Sequence, residues 1–541
     1  MPRPWIMSLV VVAAPLAAFG QGEVKPSTPP RSGVTSTEIA QQTDSQSAPP
    51  PPADSGLELR VRELERELQQ LKAPPAQPSE VPPASEKGAP PPAEPETTPA
   101  GEPFAWGDFT WLNGTSRQTS RLLDTKYFTP QLDVDVNYTY SFNHPIDDTV
   151  VGSTALARNN ELELSFLGLG GDVHVGNVRA RLMLQYGTRT TVVPRNDGSA
   201  LRGQFDLDDV YRYVSEAYAG YHFNWLHGVN VDVGVFMSYV GLFSYDNFEN
   251  WAYQPSYTSD NTPWFFNGAR IQLFPTDRLK VEIWIINGWQ SYGKFNELPG
   301  IGYQLRYAPQ EWMNVVFNGY VGTDTQDHPG RVRFHSDNSY LLRYYNHPLS
   351  RGLSRGAFSV TFDLGFEQGD GVAAFHGATK KTNNGPDLTC TNANPCEQDF
   401  VSGMAYNRLW FFHNIFGWTV GGGFIHNPGR YLVLAPTGYA APGSGPGAFD
   451  MNPGTYFDAW DLSTTFDWMP TESITFRAEF VHRQADVPYF NGRGGVTGPD
   501  GYKCGGLASA DSAITSCAPP GWTPNLVNQE SRVIGAVIFR L

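Results

Sequence analysis

His335, Ser336 and Asp337 stand side by side in RFHSDNSY, and an imidazole, a hydroxyl and a carboxylate are the parts of a nucleophilic relay. On an extended strand, neighbours point to opposite faces, so these three cannot meet and no catalytic residue is assigned. GRGGVTGPDG, residues 492–501, is rich enough in glycine to cradle a phosphate. It lacks the Lys-Ser/Thr ending and the following helix of such loops, and reads as a flexible loop. The cysteines form two local pairs, Cys390 with Cys396 in CTNANPC and Cys504 with Cys517, in loops rich in Gly, Asn and Pro. Metal binding is the sharper alternative, but neither spacing is a close pair of zinc ligands and no His accompanies them, so disulfide staples are expected. No cofactor and no metal is assigned.

The remaining chemistry is charge. Asp133, Asp135, Glu161, Glu163, Glu282, Asp363, Glu367 and Glu479 alternate with apolar neighbours, as do Arg179, Arg181, Lys280, Arg306, Arg343, Arg477, Arg483 and Arg532. Facing patches of charge set ion preference where they line a water-filled passage. Neither sign dominates, so a weak preference is expected; the other reading is that many of these groups pair with each other and stiffen a wall.

Extended strands must position those charges. In TPQLDVDVNYTYSF, Leu132, Val134, Val136, Tyr138, Tyr140 and Phe142 share one face, while Asp133, Asp135 and Asn137 lie on the other. The same alternation returns at Val178–Tyr186, Leu279–Ile285, Phe358–Glu367 and Ile474–Val481. Segments near ten residues suit a tilted strand that crosses a bilayer. Connections alternate in length. Short ones stand at NWLHG after Phe223, PTD at Pro275, PQE at Pro309 and MPTE at Met469; long ones run over 143–158, 187–211, 369–399 and 484–529. This predicts an all-β fold, a transmembrane antiparallel β-barrel of about 16 strands with both termini on the short-turn side. The closing SRVIGAVIFRL sets Val533, Gly535, Val537, Phe539 and Leu541 on one face, a partial match to an outer-membrane barrel sorting signal.

Composition narrows the classes. The formal net charge of -16 excludes a basic footprint for nucleic acid. A mean hydropathy of -0.36 is too polar for a helical membrane protein, while 55 Gly and 44 Pro imply many turns. Residues 1–20 read as a secretory signal, with Arg3 before an apolar run from Ile6 to Phe19 that is shorter than the ~20 residues a spanning anchor needs. No Cys follows for a lipid anchor. Residues 21–56 and 73–103 are Pro-rich and expected to be disordered. Between them, residues 57–72 carry Leu57, Val61, Leu64, Leu68 and Leu71 at alternating steps of four and three, the seam of a short coiled coil, and Arg60 and Glu65 fit a trimer-favouring arrangement. A solvated amphipathic helix is the plainer reading of two heptads. The barrel is assigned to 104–541.

GDFTWLNGTSRQ near Gly107, VGLFSYDNFENWAYQPSYTSDNTPWFFNGARI (240–271), IINGWQ at Ile285 and EFVHRQADVPYFNGRGGVTGPDG (479–501) resemble the OmpL-like β-barrel porin-2 family of outer-membrane proteins, over about Glu102 to the end. The resemblance implies an outer-membrane porin. Together with a barrel too wide for inward side chains to fill, it leads to the expectation of a non-enzymatic, water-filled channel for passive diffusion of small hydrophilic solutes or ions. The expected partners are outer-membrane lipid, such solutes and two further copies in a homotrimer, with the N-terminal arm in the periplasm. A structural or adhesive barrel linked to the periplasm through that arm is the alternative. The aromatic run from Tyr239 to Trp264 is too long for a simple hairpin and is expected to fold partly into the lumen and narrow it; an ordinary outer loop is the other reading.

Overall fold

The computed structural model describes residues 102–541, apart from 122, 195–196, 382–387, 435, 437–448, 450 and 503–521. The signal segment, the Pro-rich arm, the coiled-coil seam (Leu57, Val61, Leu64, Leu68, Leu71), Cys504 and Cys517 lie outside the described residues.

Sixteen antiparallel strands close into a barrel. They are β1 (Phe128–Ser141), β2 (Leu162–Val175), β3 (Val178–Tyr186), β4 (Val214–Phe223), β5 (Val229–Met237), β6 (Phe265–Thr276), β7 (Leu279–Ile286) and β8 (Gly300–Gln310). Then follow β9 (Met313–Gly322), β10 (Val332–Asn346), β11 (Leu353–Gln368), β12 (Asp399–Phe411), β13 (Phe416–Asn427), β14 (Phe457–Thr471), β15 (Ile474–Ala485) and β16 (Gln529–Arg540). Each strand pairs with its sequence neighbours, and β1 pairs with β16, Asp133 opposite Arg540 and Ser141 opposite Arg532, so that no edge is left open. The alternation in the sequence becomes an apolar outer face: Leu182, Val233, Ile283, Phe362 and Phe466 are exposed there, as lipid requires. Exposed Trp225, Trp312, Tyr344, Phe412 and Trp468 gather near the short-turn rim, like the aromatic girdle of a membrane barrel. Turning an inward Arg out to the mid-bilayer would cost roughly 2–4 kcal/mol, which fixes the register.

The short turns differ in detail from the sequence reading. Strands run on through Pro275, Pro309 and Pro470 and turn only at 277–278, 311–312 and 472–473. At each proline the register shifts, between Leu273 and Thr276, Tyr307 and Gln310, and Trp468 and Thr471. A proline has no N–H to give to the ladder, and a bulge is where none is needed. The long loops carry two small sheets of their own, Val372–Ala373 with Cys396–Glu397 and Phe490–Asn491 with Leu526–Val527. Cys390 and Cys396 are joined by a disulfide.

Candidate functional site: a barrel interior occupied by two inserted segments

The loop between β5 and β6, residues 238–264, enters the barrel and is held by inward charges from strands on opposite sides. From β1, Asp135 accepts hydrogen bonds from Asn247 Nδ2 at 3.0 Å and the Tyr253 hydroxyl at 2.9 Å. Glu479 on β15 accepts the backbone amides of Tyr253 (2.6 Å) and Gln254 (2.9 Å), and Asp461 on β14 accepts the Ser256 hydroxyl and the Tyr257 backbone amide. In the other direction, Arg408 on β12 donates to the Trp251 carbonyl, and Arg477 on β15 to the Asn250 carbonyl. Asp467 on β14 ties those two arginines together, at 2.7 Å from each. Arg540 on β16 pairs with Asp133 on β1 and with Asp246 and Glu249 of the loop. Burial alone would raise the Asp246 carboxyl, but Arg540 and the Phe248 amide outweigh it and hold it below the usual range. At Asp260 burial wins and the carboxyl is raised, although Arg483 donates to it at 2.7 Å. On the far side, Tyr239 Oη donates to the Gly319 carbonyl of β9, and Gln304 of β8 to the Tyr239 carbonyl. The loop therefore crosses the interior.

A second segment enters from the short-turn rim. Residues 104–119 run up to β1, and their aromatic side chains seek cover inside the wall because none is available in a turn. Trp111 is fully buried and donates its indole N–H to the Glu311 carbonyl at 3.2 Å; Trp106 donates to the Asp277 carbonyl. Asp108 accepts from Arg355 at 2.8 Å and lies 3.5 Å from Arg343, so β10 and β11 grip it from the wall. Burial would raise the Asp108 carboxyl, but hydrogen bonds from Thr110 and the two arginines outweigh it and hold it low. Arg117 donates to the Ile474 carbonyl. The two inserted segments also bond to each other, Trp251 N to Asn113 Oδ1 at 2.8 Å and Gly114 N to the Glu249 carbonyl at 3.2 Å. Phe109, Trp111 and Leu112 join Phe243, Trp251, Tyr406, Trp410 and Met469 in one apolar cluster.

Most of the charges expected to face water are thus covered. Asp133, Asp135, Glu163, Arg343, Asp363, Glu367, Arg477, Glu479, Arg483 and Arg532 point inward and are buried, each against an inserted segment, an outer loop or a neighbouring strand. Glu163 accepts the Arg158 amide, Arg333 pairs with Glu367 at 2.8 Å, and Arg532 with Glu530 at 2.9 Å. Glu161 does not face inward at all. It precedes β2 and pairs with Arg158 on an exposed loop, because the strand begins one residue later, at Leu162. Arg179, Arg181, Lys280 and Arg306 keep partly open side chains, and Glu282 lies behind Lys280 at 2.7 Å. His335 and Asp337 both point inward, His335 Nε2 being 2.7 Å from Asp363, while Ser336 takes the opposite face. In the GRGGVTGPDG loop, the amides of Val496 and Thr497 bind the carboxylate of Asp147, at 2.7 and 2.9 Å, so that this anion is supplied by the chain itself.

Sequence reasoning missed Asp108, Trp111, Asp246, Asp260 and Asp467, which do as much to hold the segments as the residues it named. A signal was present: GDFTWLNG and the run around Trp251 are too aromatic to lie in water.

The chain matches the family model described as "Putative beta-barrel porin-2, OmpL-like" over residues 128–502. Among curated protein sequences nothing matches it. Solved structures of similar fold include the outer membrane channel DcaP of Acinetobacter baumannii, at 11% identity and a TM-score of 0.41, covering 80% of this chain and 100% of that one. OprB of Pseudomonas putida matches at 10% identity and a TM-score of 0.44, covering 77% and 94%. OmpT of Vibrio cholerae, in a form described as a trimer, matches at 9% and 0.40, covering 77% and 100%.

Proposed function

We propose, for a chain that belongs to the OmpL-like β-barrel porin-2 family, that it forms a narrowed aqueous path through which small hydrophilic solutes and ions diffuse passively across the outer membrane. One observation carries the reading: the inward faces are built of ionised and amide side chains that a dry core would not bear, and those on β3, β4 and β6–β8 remain partly open. The inserted loop sets the width of that path. Deleting residues 247–259 from the full-length protein in planar bilayers is expected to raise single-channel conductance; an unchanged value would remove the loop from the path.

The covered interior from β9 round to β1 favours a second reading, a barrel that serves as a structural or adhesive anchor joined to the periplasm through its N-terminal arm. No conductance from the full chain or from the deletion would select it. The residues proposed to face the path are Arg179, Arg181, Lys280 and Arg306. A homotrimer closed by a periplasmic coil over 57–72 completes the proposal, and tethering by a Pro-rich linker raises the effective concentration of so weak a coil. Chemical cross-linking that yields only monomers would refute it.

A further inference from the structure

The open part of the interior is not electrically balanced in the way the whole interior is. Between the inserted loop and the wall lies a cavity of about 250 Å³, whose lining includes Arg270, Gln272, Lys280, Glu282, Trp284 and Gln304. In register beside Lys280 stands Arg306, which has no salt bridge among the described residues and lies 4.9 Å from the Phe104 ring of the entry segment. Carboxylates are near, but they stand behind the cations. Asp232 is fully covered, holding Arg270 at 2.8 Å and Arg179 at 3.3 Å. Glu282 has 3% of its side chain open and is saturated by Lys280, by Gln272 Nε2 at 2.7 Å and by the Trp284 indole at 2.9 Å. The cations keep their outer sides free: 13% of the Arg270 side chain and 17% of that of Lys280 remain accessible. Of the open carboxylates on this side of the barrel, Asp172 and Glu216 are both drawn onto Arg181, and Asp277 and Glu311 stand in the turns of the short-turn rim, outside the cavity lining.

We infer that this cavity is a binding site for small anions, chloride and small carboxylates, and that it gives the pore an anion preference despite the acidic composition of the whole chain. The inference deepens the porin reading and rests on it for its role in transport. What a solute meets is the accessible surface, and here the charge on that surface is mainly guanidinium and ammonium, because the Glu282 carboxylate in the lining is almost fully covered. Burying the acid and exposing the base converts a nearly neutral set of side chains into a cationic lining. The volume admits an anion that keeps several of its waters, each of which occupies about 30 Å³ in the liquid. Gln272, which gives one amide N–H to Glu282, keeps its second for an anion that has shed part of its shell.

The test uses the full-length barrel and the variant K280Q/R306Q. In planar bilayers under a potassium chloride gradient, the reversal potential of the unaltered protein should report chloride permeating faster than potassium. In the variant, which removes two charges, that ratio should fall by at least about fivefold, the local enrichment one unit charge gives at contact distance in water. K280R/R306K, which keeps both charges, should behave as the parent, separating loss of charge from loss of fold. A cation preference in the parent, or an unchanged reversal potential in K280Q/R306Q, overturns the inference. Chloride-35 line broadening on the detergent-solubilised barrel reads binding without conduction. Excess broadening that vanishes in K280Q/R306Q supports the site, and its absence from the parent overturns it. If broadening is found in a barrel that conducts nothing, the porin reading has failed while the anion site stands.

Discussion

Replacing Trp111 by Ala should release the entry segment from the short-turn rim while leaving the barrel closed. Trp111 is fully buried, its indole N–H reaches the Glu311 carbonyl, and Arg343 lies 5.6 Å from its ring. Truncating a buried Trp costs about 3–5 kcal/mol, and the lost hydrogen bond accounts for roughly 1 kcal/mol of net stability. None of this touches a strand ladder, so the loss falls on docking of residues 104–119. At about 1.4 kcal/mol per factor of ten, a loss near 4 kcal/mol raises the undocked population about a thousandfold. Two assays read this. Trypsin should cut after Arg117 and Arg121 far faster in W111A, followed by mass spectrometry, and single-channel conductance should rise because the floor of the interior has been withdrawn. Heat-dependent mobility on gels should stay as in the parent. If W111A keeps both the parental cleavage rate and the parental conductance, the segment is not held by this side chain and the energetic reasoning fails.

Acidification should loosen the same segment. The Asp108 carboxyl is held below its ordinary value of 3.8, so its contribution is full at neutral pH and is lost as pH falls through the lowered value; pepsin in place of trypsin should cut residues 104–119 more slowly in the parent than in D108N at about pH 5, and the two rates should converge as pH falls below 3.8. Serine at both Cys390 and Cys396 removes a constraint of about 2 kcal/mol from a short loop outside the barrel's strand ladders, so proteolysis within 369–398 should quicken while the unfolding temperature of the barrel stays constant. Asp467→Ala leaves Arg408 and Arg477 buried without their shared carboxylate, and should lower barrel stability by about 3–5 kcal/mol in urea titration while increasing open-channel noise as residues 250–251 lose their anchors.

The wall was legible because a membrane barrel repeats one instruction, apolar out and polar in, at a period of two, and LDVDVNYTYSF states it without interruption. Loop lengths gave the strand number and direction for the same reason. Strand ends were less legible, since Pro275 and Pro309 mark bulges as readily as turns. The contents of the barrel were hardly legible at all. Asp133 and Asp135 could be assigned to the inward side, but whether they meet water or Arg540 and Asn247 depends on partners from remote parts of the chain. Glu161 was misplaced by a single residue of strand start: Glu163 two positions on does face inward, but Glu161 precedes the strand, where the alternation no longer holds.

That crossing of the interior by residues 238–264 has a kinetic consequence. The loop is bonded to Asp135 on the first strand and to Asp461, Glu479 and Arg540 on the last three, yet it emerges from the chain between the fifth and the sixth. Three of these four anchors do not exist until the final strands have been laid down, and the seam between β1 and β16 shuts around the loop. Such contacts have large sequence separation and high loop-closure entropy, so they form late. The loop must therefore already lie within the curling sheet when the seam closes, because a closed wall offers it only the crowded outer mouth. Assembly of this barrel is in effect a timed enclosure, in which the filling and the final pairing are one event, and variants that delay docking of the loop should accumulate as open sheets that are still sensitive to protease.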